Sequence, residues 1–416
     1  MKFNTISVIG LGYIGLPTAA LLASRGNQVV GVDINQRVVD SINAGDTHIV
    51  EPDLDVVVRD AVAKGYLKAT TKVEPADAFL ICVPTPFKNN FKPDLSYIEA
   101  TAKSIAPVLK TGNLVILEST SPVGTTEQLS YWLKEMRDDL TCAGRGREKF
   151  DIHIAHCPER VLPGNIFREL VNNDRIIGGM TEQCCTKAKD LYEIFLKGDC
   201  IMTDVRTAEM CKLVENSFRD VNIAFANELS IICNEFGINI WELISLANRH
   251  PRVDILQPGP GVGGHCIAVD PWFIVNQSPN HAKLIRAARE VNSYKPRYVA
   301  EKISKLIEEK ERNLGNKPTI VFFGITYKPN TDDLRESAAL EIIEEICENS
   351  EGVIKVVEPN INKLPKSFKN IKLHKNEIAE ADIRVFLVNH EQFSKIEYNP
   401  KSDLDFCGIF QGHDEH

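Results

Sequence analysis

A stretch rich in glycine and proline is the most unusual segment of this sequence, and it ends in a cysteine. It reads Pro258-Gly-Pro-Gly-Val-Gly-Gly-His-Cys266. Such a composition cannot form the interior of a helix or strand, so we expect a rigid loop that presents Cys266. Backbone N–H groups at a loop-to-helix junction favour a thiolate, which makes Cys266 a candidate nucleophile. Asp270 follows one helical turn later. It can act as a base or orient the nucleophile, and an ordinary acid at a helix N-terminus is the alternative.

Three further polar residues have types and positions suited to acyl chemistry. Lys212 and Asn216 are spaced one helical turn apart in an otherwise apolar stretch. A lysine there can stabilise an oxyanion, although a solvated charged helix face is the alternative. Glu159 follows a predicted strand, a position that suits a general base, with an ordinary turn carboxylate as the alternative.

A glycine motif near the N-terminus indicates a dinucleotide site. The segment Gly10-Leu-Gly-Tyr-Ile-Gly15 matches G-x-G-x-x-G between a predicted strand and helix, and the next strand ends at Asp33. The glycines allow the backbone to approach a pyrophosphate at the helix N-terminus. Asp33 can accept hydrogen bonds from the adenosine ribose, and it would repel a 2′-phosphate, so NAD is predicted rather than NADP. The predicted cofactor contacts in this motif are Gly10, Gly12, Tyr13, Ile14 and Gly15.

Other candidate cofactor contacts follow the ends of predicted strands. Arg37 lies just beyond Asp33 and can contact the adenosine, although a solvated helix residue is equally compatible. Pro84 and Thr85 follow one strand, and Thr120 follows the next. Thr120 is predicted to hydrogen-bond the nicotinamide end of the cofactor or a catalytic water, with a helix cap as the alternative.

The elements that must position these residues alternate between strands and helices. This alternation predicts a parallel, doubly wound sheet over the first part of the chain. Residues 207–236 contain no Pro or Gly and have helical apolar spacing, which predicts a helix ~45 Å long that connects domains or forms a subunit interface. We predict an α/β protein with two Rossmann-like doubly wound domains, joined by this long central helix and a helical middle domain. The predicted domains are 1–200, 201–312 and 313–416.

The predicted bounds come from apolar periodicity and from the positions of glycine and proline. Strands are predicted over 5–9, 28–32, 78–83, 114–118, 152–155, 319–323, 353–357 and 383–388. Helices are predicted from the glycine motif to about 25 and over 97–109, 125–136, 207–236, 281–309 and 338–347. A loop is predicted over 142–149 and a frayed tail over 412–416.

Composition excludes several classes of function. The chain has 416 residues, 25% of them charged, and a net charge of −9, which disfavours binding to nucleic acid or to an anionic membrane. Glycines and Pro17 interrupt the N-terminal apolar run, and no run is long enough to span a membrane, so a cytoplasmic protein is expected. The eleven cysteines lack C-x-x-C or zinc-like spacing, so reduced thiols and no metal site are expected.

Taken together in chain order, these motifs resemble the UDP-glucose/GDP-mannose dehydrogenase family. The resemblance also rests on Pro84-Thr-Pro86, Glu118-Ser-Thr120, Pro158-Glu159 and the run from Gly324 to Ser337. Within the family, the segments 50–54, 212–230, 248–261 and 266–274 are most similar to members that act on UDP-N-acetyl-D-mannosamine. One departure follows Asp405, where the chain reads Phe-Cys-Gly-Ile-Phe and relatives have a small residue and then a basic one.

The resemblance implies two successive NAD-dependent oxidations of the sugar C6 alcohol to a carboxylate. Cys266 would form a thiohemiacetal and then a thioester, Glu159 or Asp270 would activate the hydrolytic water, and Lys212 and Asn216 would hold the negative oxygen. The implied protein is a cytoplasmic homodimer that serves surface polysaccharide synthesis, such as enterobacterial common antigen or capsule. Arg252 is expected to bind substrate across the subunit interface. The implied substrate contacts are Glu159, Arg160, Val161, Lys212, Asn216, Arg219, His250, Arg252, Gly263, Tyr327, Lys328 and Arg335.

Three alternatives are compatible with parts of the sequence. Within the same family, UDP-N-acetylglucosamine or UDP-glucose can be the substrate. A non-catalytic dinucleotide-binding regulator would keep the glycine motif but would have no reason to keep Lys212, Asn216 and Cys266 together. A β-hydroxyacid dehydrogenase also has a Rossmann domain, a long helix and a lysine. That class needs no nucleophilic cysteine and no third domain, and it yields one NADH per substrate rather than two.

Overall fold

The computed structural model describes residues 3–49, 51–88, 91–144, 149–161, 164–264, 266–350, 352–368, 371–375 and 381–410. His265, the centre of the loop predicted over 142–149 and the predicted tail lie outside the described residues. The chain divides into two compact units, Met1–Val214 and Glu215–His416.

The first unit is built on an eight-stranded sheet. The strand order is β3-β2-β1-β4-β7-β8-β9-β10, and neighbouring strands are parallel except for β8 and β9. The short strands β5 and β6 form a separate antiparallel pair. The strands are β1 (Thr5–Ile9), β2 (Gln28–Val32), β3 (Leu67–Thr70), β4 (Ala78–Ile81), β5 (Phe87–Lys88), β6 (Lys92–Pro93), β7 (Leu114–Leu117), β8 (His153–His156), β9 (Arg175–Gly179) and β10 (Cys200–Asp204).

Helices cover both faces of this sheet. Alternate residues of β4 enter different apolar clusters, with Leu80 in one and Phe79 and Ile81 in the other. Because successive side chains of a strand point to opposite faces, this division shows a sheet that is buried on both sides. The helices are α1 (Gly15–Ser24), α2 (Gln36–Asn43), α3 (Leu54–Ala63), α4 (Ser96–Ile105), α5 (Thr125–Met136), α6 (Ile166–Asn172) and α7 (Glu182–Tyr192).

The long central helix α8 (Val205–Phe236) begins in the first unit and continues into the second. Its 32 residues correspond to ~48 Å. It is followed by α9 (Ile240–Ala247), α10 (Asp270–Gln277) and a second 32-residue helix, α11 (Lys283–Leu314). The prediction of a long helix that starts at 207 is therefore confirmed, with one further half-turn at its start. Among the described residues, no helix is both long and apolar enough to cross a membrane.

The second unit also contains a five-stranded parallel sheet of order β13-β12-β11-β14-β15. Helices α11 and α12 contribute apolar side chains, such as Val299 and Ile342, to the cluster that covers one face. The mixed α/β class and the second sheet predicted from the sequence are confirmed. The elements are β11 (Thr319–Phe323), α12 (Ala338–Asn349), β12 (Val353–Val357), β13 (Lys372–His374), β14 (Ile383–Phe386) and β15 (Asp403–Asp405).

Candidate active site

The turn between β1 and α1 contains three glycines of the motif. Close packing requires glycine at Gly10 and Gly15, whereas Gly12 faces open space. Gly10 has φ of 90°, and a Cβ there would lie 2.6 Å from the Cys82 carbonyl oxygen. A Cβ on Gly15 would clash with the Gly10 carbonyl oxygen, whereas one on Gly12 would meet nothing within 4 Å. Tyr13 and Ile14 are half-buried in the same turn. The exposed Gly12 face therefore has room for a ligand next to the helix N-terminus.

Asp33 follows β2 directly and is held against this turn. Its Oδ2 accepts a hydrogen bond from the Leu11 N–H at 3.1 Å, and its Oδ1 accepts one from the Asn35 N–H at 2.9 Å. Each oxygen retains a lone pair that can accept a ribose hydroxyl. Arg37 is exposed on the first turn of α2. The turn and Asp33 therefore fit the adenosine diphosphate half of NAD.

The loops after β4 and β7 are joined by side-chain hydrogen bonds. The Thr85 hydroxyl donates to the Thr120 carbonyl oxygen at 2.5 Å, and the Ser119 hydroxyl donates to the Val83 carbonyl oxygen at 2.7 Å. Pro84 beside them is exposed, and Thr120 is half-buried. These candidate contacts therefore meet at the carboxyl edge of the sheet, where ligands bind in doubly wound folds.

Glu159, the candidate base, is buried just beyond β8. One carboxylate oxygen accepts the Arg160 N–H at 2.6 Å, and the other accepts the Arg175 guanidinium at 2.7 Å. Arg175 also donates to Glu118 at 3.2 Å. The Arg160 side chain is exposed and Val161 is half-buried. Glu159 is therefore fixed by a buried arginine that no sequence motif indicated.

Glu118, the second carboxylate in this group, is enclosed by other side chains. Its Oε1 accepts the Tyr192 hydroxyl at 2.5 Å, and its Oε2 accepts the Cys82 thiol at 3.0 Å. Burial raises the pKa of Glu118 above its ordinary value, although the positive charge of Arg175 opposes that shift. We call Glu118, Glu159, Arg175 and Tyr192 the arginine cluster. Glu118 follows β7, Glu159 lies beyond β8, Arg175 begins β9 and Tyr192 ends α7, so only the folded sheet brings them together.

In the second unit, Cys266 is exposed at the start of a turn that leads into α10. All eleven cysteines lie among the described residues as free thiols, and the other ten are buried or half-buried. The Cys266 carbonyl oxygen accepts the Asp270 N–H at 2.9 Å. Asp270 in turn accepts a hydrogen bond from the Asn216 amide at 2.5 Å. The structure therefore links three predicted catalytic residues, Asn216, Asp270 and Cys266, through consecutive hydrogen bonds.

Lys212 lies on α8 one helical turn before Asn216 and is half-buried. It belongs to the first compact unit, whereas Asn216 belongs to the second. Its predicted role as the oxyanion partner stays a prediction. Arg219 follows on α8 and is exposed.

The glycines before Cys266 are required by close packing. A Cβ on Gly263 would lie 2.3 Å from the Glu336 carbonyl oxygen, and one on Gly264 would lie 2.8 Å from the Tyr327 ring. The Gly264 N–H donates to the Arg335 carbonyl oxygen at 3.2 Å. The glycine-rich loop therefore packs directly on the segment 325–337, which carries three of the predicted substrate contacts.

Within that segment, a backbone hydrogen bond and an ion pair between Arg335 and Asp333 hold a compact loop together. The Tyr327 N–H donates to the Asp333 carbonyl oxygen at 3.0 Å. The Arg335 guanidinium donates to both Asp333 carboxylate oxygens, at 2.9 and 2.6 Å. The Lys328 ammonium lies 5.7 Å from the centre of the Tyr327 ring. The loop therefore brings Tyr327, Lys328 and Arg335 together, and their contact with a substrate stays a prediction.

A chain of buried amides anchors the start of the glycine-rich loop. The Asn227 side chain accepts the Gly259 N–H at 2.9 Å and donates to Asn292 at 2.9 Å. Asn292 donates to Asp220 at 2.8 Å, and Asp220 also accepts the Arg289 guanidinium at 2.7 Å. Asn227 and Asn292 were missed because amides on an amphipathic helix look like surface residues in the sequence.

His250 and Arg252 follow α9, and both are exposed. The Arg252 N–H donates to the His250 ring at 3.3 Å. No hydrogen bond between described residues joins either side chain to the Cys266 turn. The predicted contact of Arg252 with the substrate stays a prediction.

The class of protein follows from two features. A glycine turn with a carboxylate after the second strand is typical of NAD-dependent dehydrogenases, and the exposed cysteine on the glycine-rich loop is a candidate thiol nucleophile. Residues 4–196 match the NAD binding domain of the UDP-glucose/GDP-mannose dehydrogenase family. Residues 206–294 match its central domain, and residues 321–405 match its UDP binding domain. The chain belongs to the UDP-glucose/GDP-mannose dehydrogenase family, as its motifs predicted.

Several named proteins are similar over nearly the whole chain. An NDP-N-acetyl-D-galactosaminuronic acid dehydrogenase from Ralstonia nicotianae is 62% identical over 95% of this chain and 93% of the relative. A UDP-N-acetyl-D-mannosamine dehydrogenase from Escherichia coli K12 is 60% identical over 95% and 96%, and one from Campylobacter jejuni is 60% identical over 98% and 100%. Among solved structures, a UDP-D-ManNAc dehydrogenase from Pyrococcus horikoshii superposes with a TM-score of 0.84 at 39% identity, covering 98% of this chain and 96% of that one.

Proposed function

We propose that this enzyme oxidises the C6 alcohol of UDP-N-acetyl-D-mannosamine to the carboxylate, giving UDP-N-acetyl-D-mannosaminuronate. The observation that carries the proposal is Cys266, the exposed thiol on a turn tied to Asp270 and Asn216. The similarity to UDP-N-acetyl-D-mannosamine dehydrogenases supports the choice of sugar.

Conversion of a primary alcohol to an acid removes four electrons as two hydrides. NAD+ supplies the hydride acceptor when it is bound, and Gly10, Gly12, Asp33 and Thr120 are the residues that would hold it. The first oxidation leaves an aldehyde, and the Cys266 thiolate adds to its carbonyl carbon to form a thiohemiacetal. The thiohemiacetal then loses a hydride, for which a second NAD+ would be the acceptor, and its hydroxyl proton passes to water, which leaves a thioester. Water then cleaves the carbon–sulfur bond, which releases the acid and restores the thiol.

The polar residues have distinct tasks in this scheme. Lys212 and Asn216 stabilise the negative oxygen that forms when the thiolate or water adds to the carbonyl. Glu159 accepts a proton from the hydrolytic water, with Asp270 as the alternative base. Asp270 also accepts the Asn216 amide, so it orients the oxyanion partner. Arg160, Val161, Arg219, His250, Arg252, Gly263, Tyr327, Lys328 and Arg335 are the proposed substrate contacts.

The three proposed domains divide this work. Residues 1–200 bind NAD, residues 201–312 connect the domains and form a dimer interface, and residues 313–416 bind the UDP moiety. A homodimer is supported by aromatic side chains along α8, because Phe218, Phe225 and Phe236 are 68%, 55% and 69% exposed. Such a row of exposed apolar residues is typical of a subunit interface. Free thiols at all eleven cysteines are compatible with the cytoplasm, where an enzyme of surface polysaccharide synthesis would meet its nucleotide sugar.

A panel of nucleotide sugars tests the substrate directly. The purified enzyme is assayed with UDP-N-acetyl-D-mannosamine, UDP-N-acetylglucosamine, UDP-N-acetylgalactosamine and UDP-glucose, with NADH counted per substrate consumed. We expect the highest kcat/KM for UDP-N-acetyl-D-mannosamine, with two NADH and one uronic acid per molecule. The Ralstonia relative is named for NDP-N-acetyl-D-galactosaminuronic acid, so the N-acetylgalactosamine nucleotide in the panel is the second candidate. A higher kcat/KM for another sugar would reject the proposed substrate, and one NADH per substrate would reject the double oxidation.

A further inference from the structure

The arginine cluster contains two buried charged residues, Arg175 and Glu118, that have no role in the proposed chemistry. Arg175, Glu118 and Glu159 are 4%, 2% and 8% exposed, and Tyr192 is fully buried. The Arg175 guanidinium carbon lies 4.3 Å from the centre of the Tyr192 ring, so the ring covers one face of the cation. One positive charge thus stands between two carboxylates inside the first unit. Burying such a group costs free energy, and breaking it leaves an uncompensated charge.

The sheet topology explains why Arg175 reaches Glu159. Strand β9 runs antiparallel to β8, with His156 opposite Gly178. The first residue of β9 therefore lies beyond the end of β8, where the chain turns toward Glu159. A parallel β9 would place its first residue at the opposite edge of the sheet. The one antiparallel pairing described within this sheet is what brings the guanidinium to the candidate base.

Both oxygens of Glu159 are fixed by donors, which sets its orientation. The Arg160 N–H holds one oxygen and Arg175 holds the other. Glu159 therefore lies next to a positive neighbour, Arg175, and close to a negative one, Glu118, which binds the same guanidinium. The titratable groups that interact with Glu159 are Arg175 on β9, Glu118 after β7 and Cys82 after β4. Tyr192 on α7 and Cys157 interact with Arg175 and Glu118.

We propose that Arg175 is a positioning residue for Glu159, and that the opposite charges of Arg175 and Glu118 both act on this one carboxylate. The inference rests on the proposed function, because it assumes that Glu159 takes the proton from the hydrolytic water. Arg175 itself touches neither substrate nor cofactor in this scheme. Its effect passes through the carboxylate that it orients.

The pH dependence of kcat tests this inference, because removal of the two opposite charges should shift its acidic limb in opposite directions. A base must be deprotonated, so kcat falls as the pH drops through its pKa. Arg175→Met removes the positive neighbour, so the acidic limb of the kcat profile should move up by about one pH unit or more. Glu118→Gln removes the negative neighbour, so the same limb should move down. Arg175→Lys keeps the charge, and its limb should stay closer to that of the unchanged enzyme than the limb of Arg175→Met.

A matched control separates positioning from stability. Arg384→Met removes another buried arginine, which pairs with Asp403 at 2.6 Å in the second unit. It should lower the unfolding temperature without moving the acidic limb. NADH binding, followed by fluorescence, should be unchanged in every variant, which shows that the first unit remains folded. If Arg175→Met does not fold, Glu118→Gln and Arg175→Lys carry the test.

The outcomes separate this inference from the proposed function. If Glu159→Gln lowers kcat strongly while Arg175→Met and Glu118→Gln leave the acidic limb in place, the role of Arg175 is refuted. Shifts of both variants in the same direction would also refute it. If Glu159→Gln keeps a normal kcat and a normal limb, the assignment of Glu159 as base fails instead. Opposite shifts, together with loss of the limb in Glu159→Gln, would support both.

Discussion

Replacement of Gly263 by alanine should damage catalysis without touching any reacting group. A Cβ at this position would lie 2.3 Å from the Glu336 carbonyl oxygen and 2.9 Å from the Tyr327 Cβ. The first distance is about 1 Å short of ordinary van der Waals contact. The clash is with backbone rather than with the end of a flexible side chain, so the loop itself must move. Cys266 lies only three residues further along that loop.

The expected size of the effect follows from this displacement. A shift of about 1 Å in a catalytic group lowers kcat about 10²-fold, and overpacking costs roughly 1–3 kcal/mol in the free energy of unfolding. The measurements are kcat and KM for the preferred UDP-sugar, the rate of Cys266 alkylation by iodoacetamide, and denaturant unfolding. Gly259→Ala in the same loop is the matched control, because its Cβ would meet its nearest atom at 3.9 Å.

Two results would refute the reasoning. If Gly263→Ala keeps kcat within about twofold and unfolds at the same denaturant concentration, the contact with Glu336 does not hold the loop in place. If Gly259→Ala loses as much activity as Gly263→Ala, the loop is sensitive to any added methyl group. The specific clash would then not be the cause.

Four further expectations follow from the proposed roles. Cys266→Ala should bind NAD+ yet make almost no uronic acid, whereas Cys347→Ala should keep two NADH per substrate; normal acid formation by Cys266→Ala would contradict the covalent route. Lys212→Ala should lower kcat about 10²-fold or more, and a change confined to KM would indicate uniform binding instead. NAD+ should be used far better than NADP+ because of Asp33, and comparable kcat/KM values would exclude that role. Mixed dimers of Arg252→Ala and Cys266→Ala chains should recover activity at about one site per pair, and no recovery would argue against sharing across the interface.

Local signals predicted the elements well where glycine, proline and apolar periodicity mark their ends. The helix predicted over 125–136 has those bounds in the structure, and the strands 319–323 and 353–357 also agree. The helix predicted over 281–309 ends later, at Leu314, where Gly315 adopts φ of 69°. Its last turns carry charged residues, so apolar periodicity alone underestimates its length.

Strand direction was not predictable from the sequence. Alternation of strands and helices indicates a parallel sheet, and most of the first sheet is parallel. The strands β9 and β10 run the other way, because β9 pairs antiparallel with β8. Apolar periodicity reports which face of a strand is buried and carries no information on its direction. The small pair β5 and β6 was missed because its strands have two residues each.

The sequence singled out candidate site residues that lie in segments of unusual composition, and it did not single out residues that are unusual only in their burial. Cys266 and Gly263 stand out because a loop so rich in glycine and proline is rare. Arg175 did not stand out, since an arginine at a strand start reads as a surface residue unless its partners are known. Asn227 was hidden for the same reason, because its partner Asn292 is 65 residues away in sequence.

The buried arginines indicate why these hidden residues matter. Among the described residues, Arg175, Arg289 and Arg384 each pair with a carboxylate in a nearly solvent-free place. A buried ion pair contributes little stability compared with apolar residues of the same volume, so stability alone does not explain three of them. The Arg175 pair holds Glu159, and the Arg289 pair reaches the Cys266 loop through Asp220 and two asparagines.

Each of these two networks thus contacts a different part of the proposed site. The Arg175 network contacts the proposed base, and the Arg289 network contacts the loop that carries the proposed nucleophile. A reaction that removes two hydrides from one carbon must keep both groups in place through both oxidations and the hydrolysis. Hydrogen-bonded charges restrict orientation more tightly than apolar packing does, because their energy depends on angle as well as on distance. The free energy spent on burying these charges is therefore best explained as the cost of holding the proposed base and the proposed nucleophile in fixed positions.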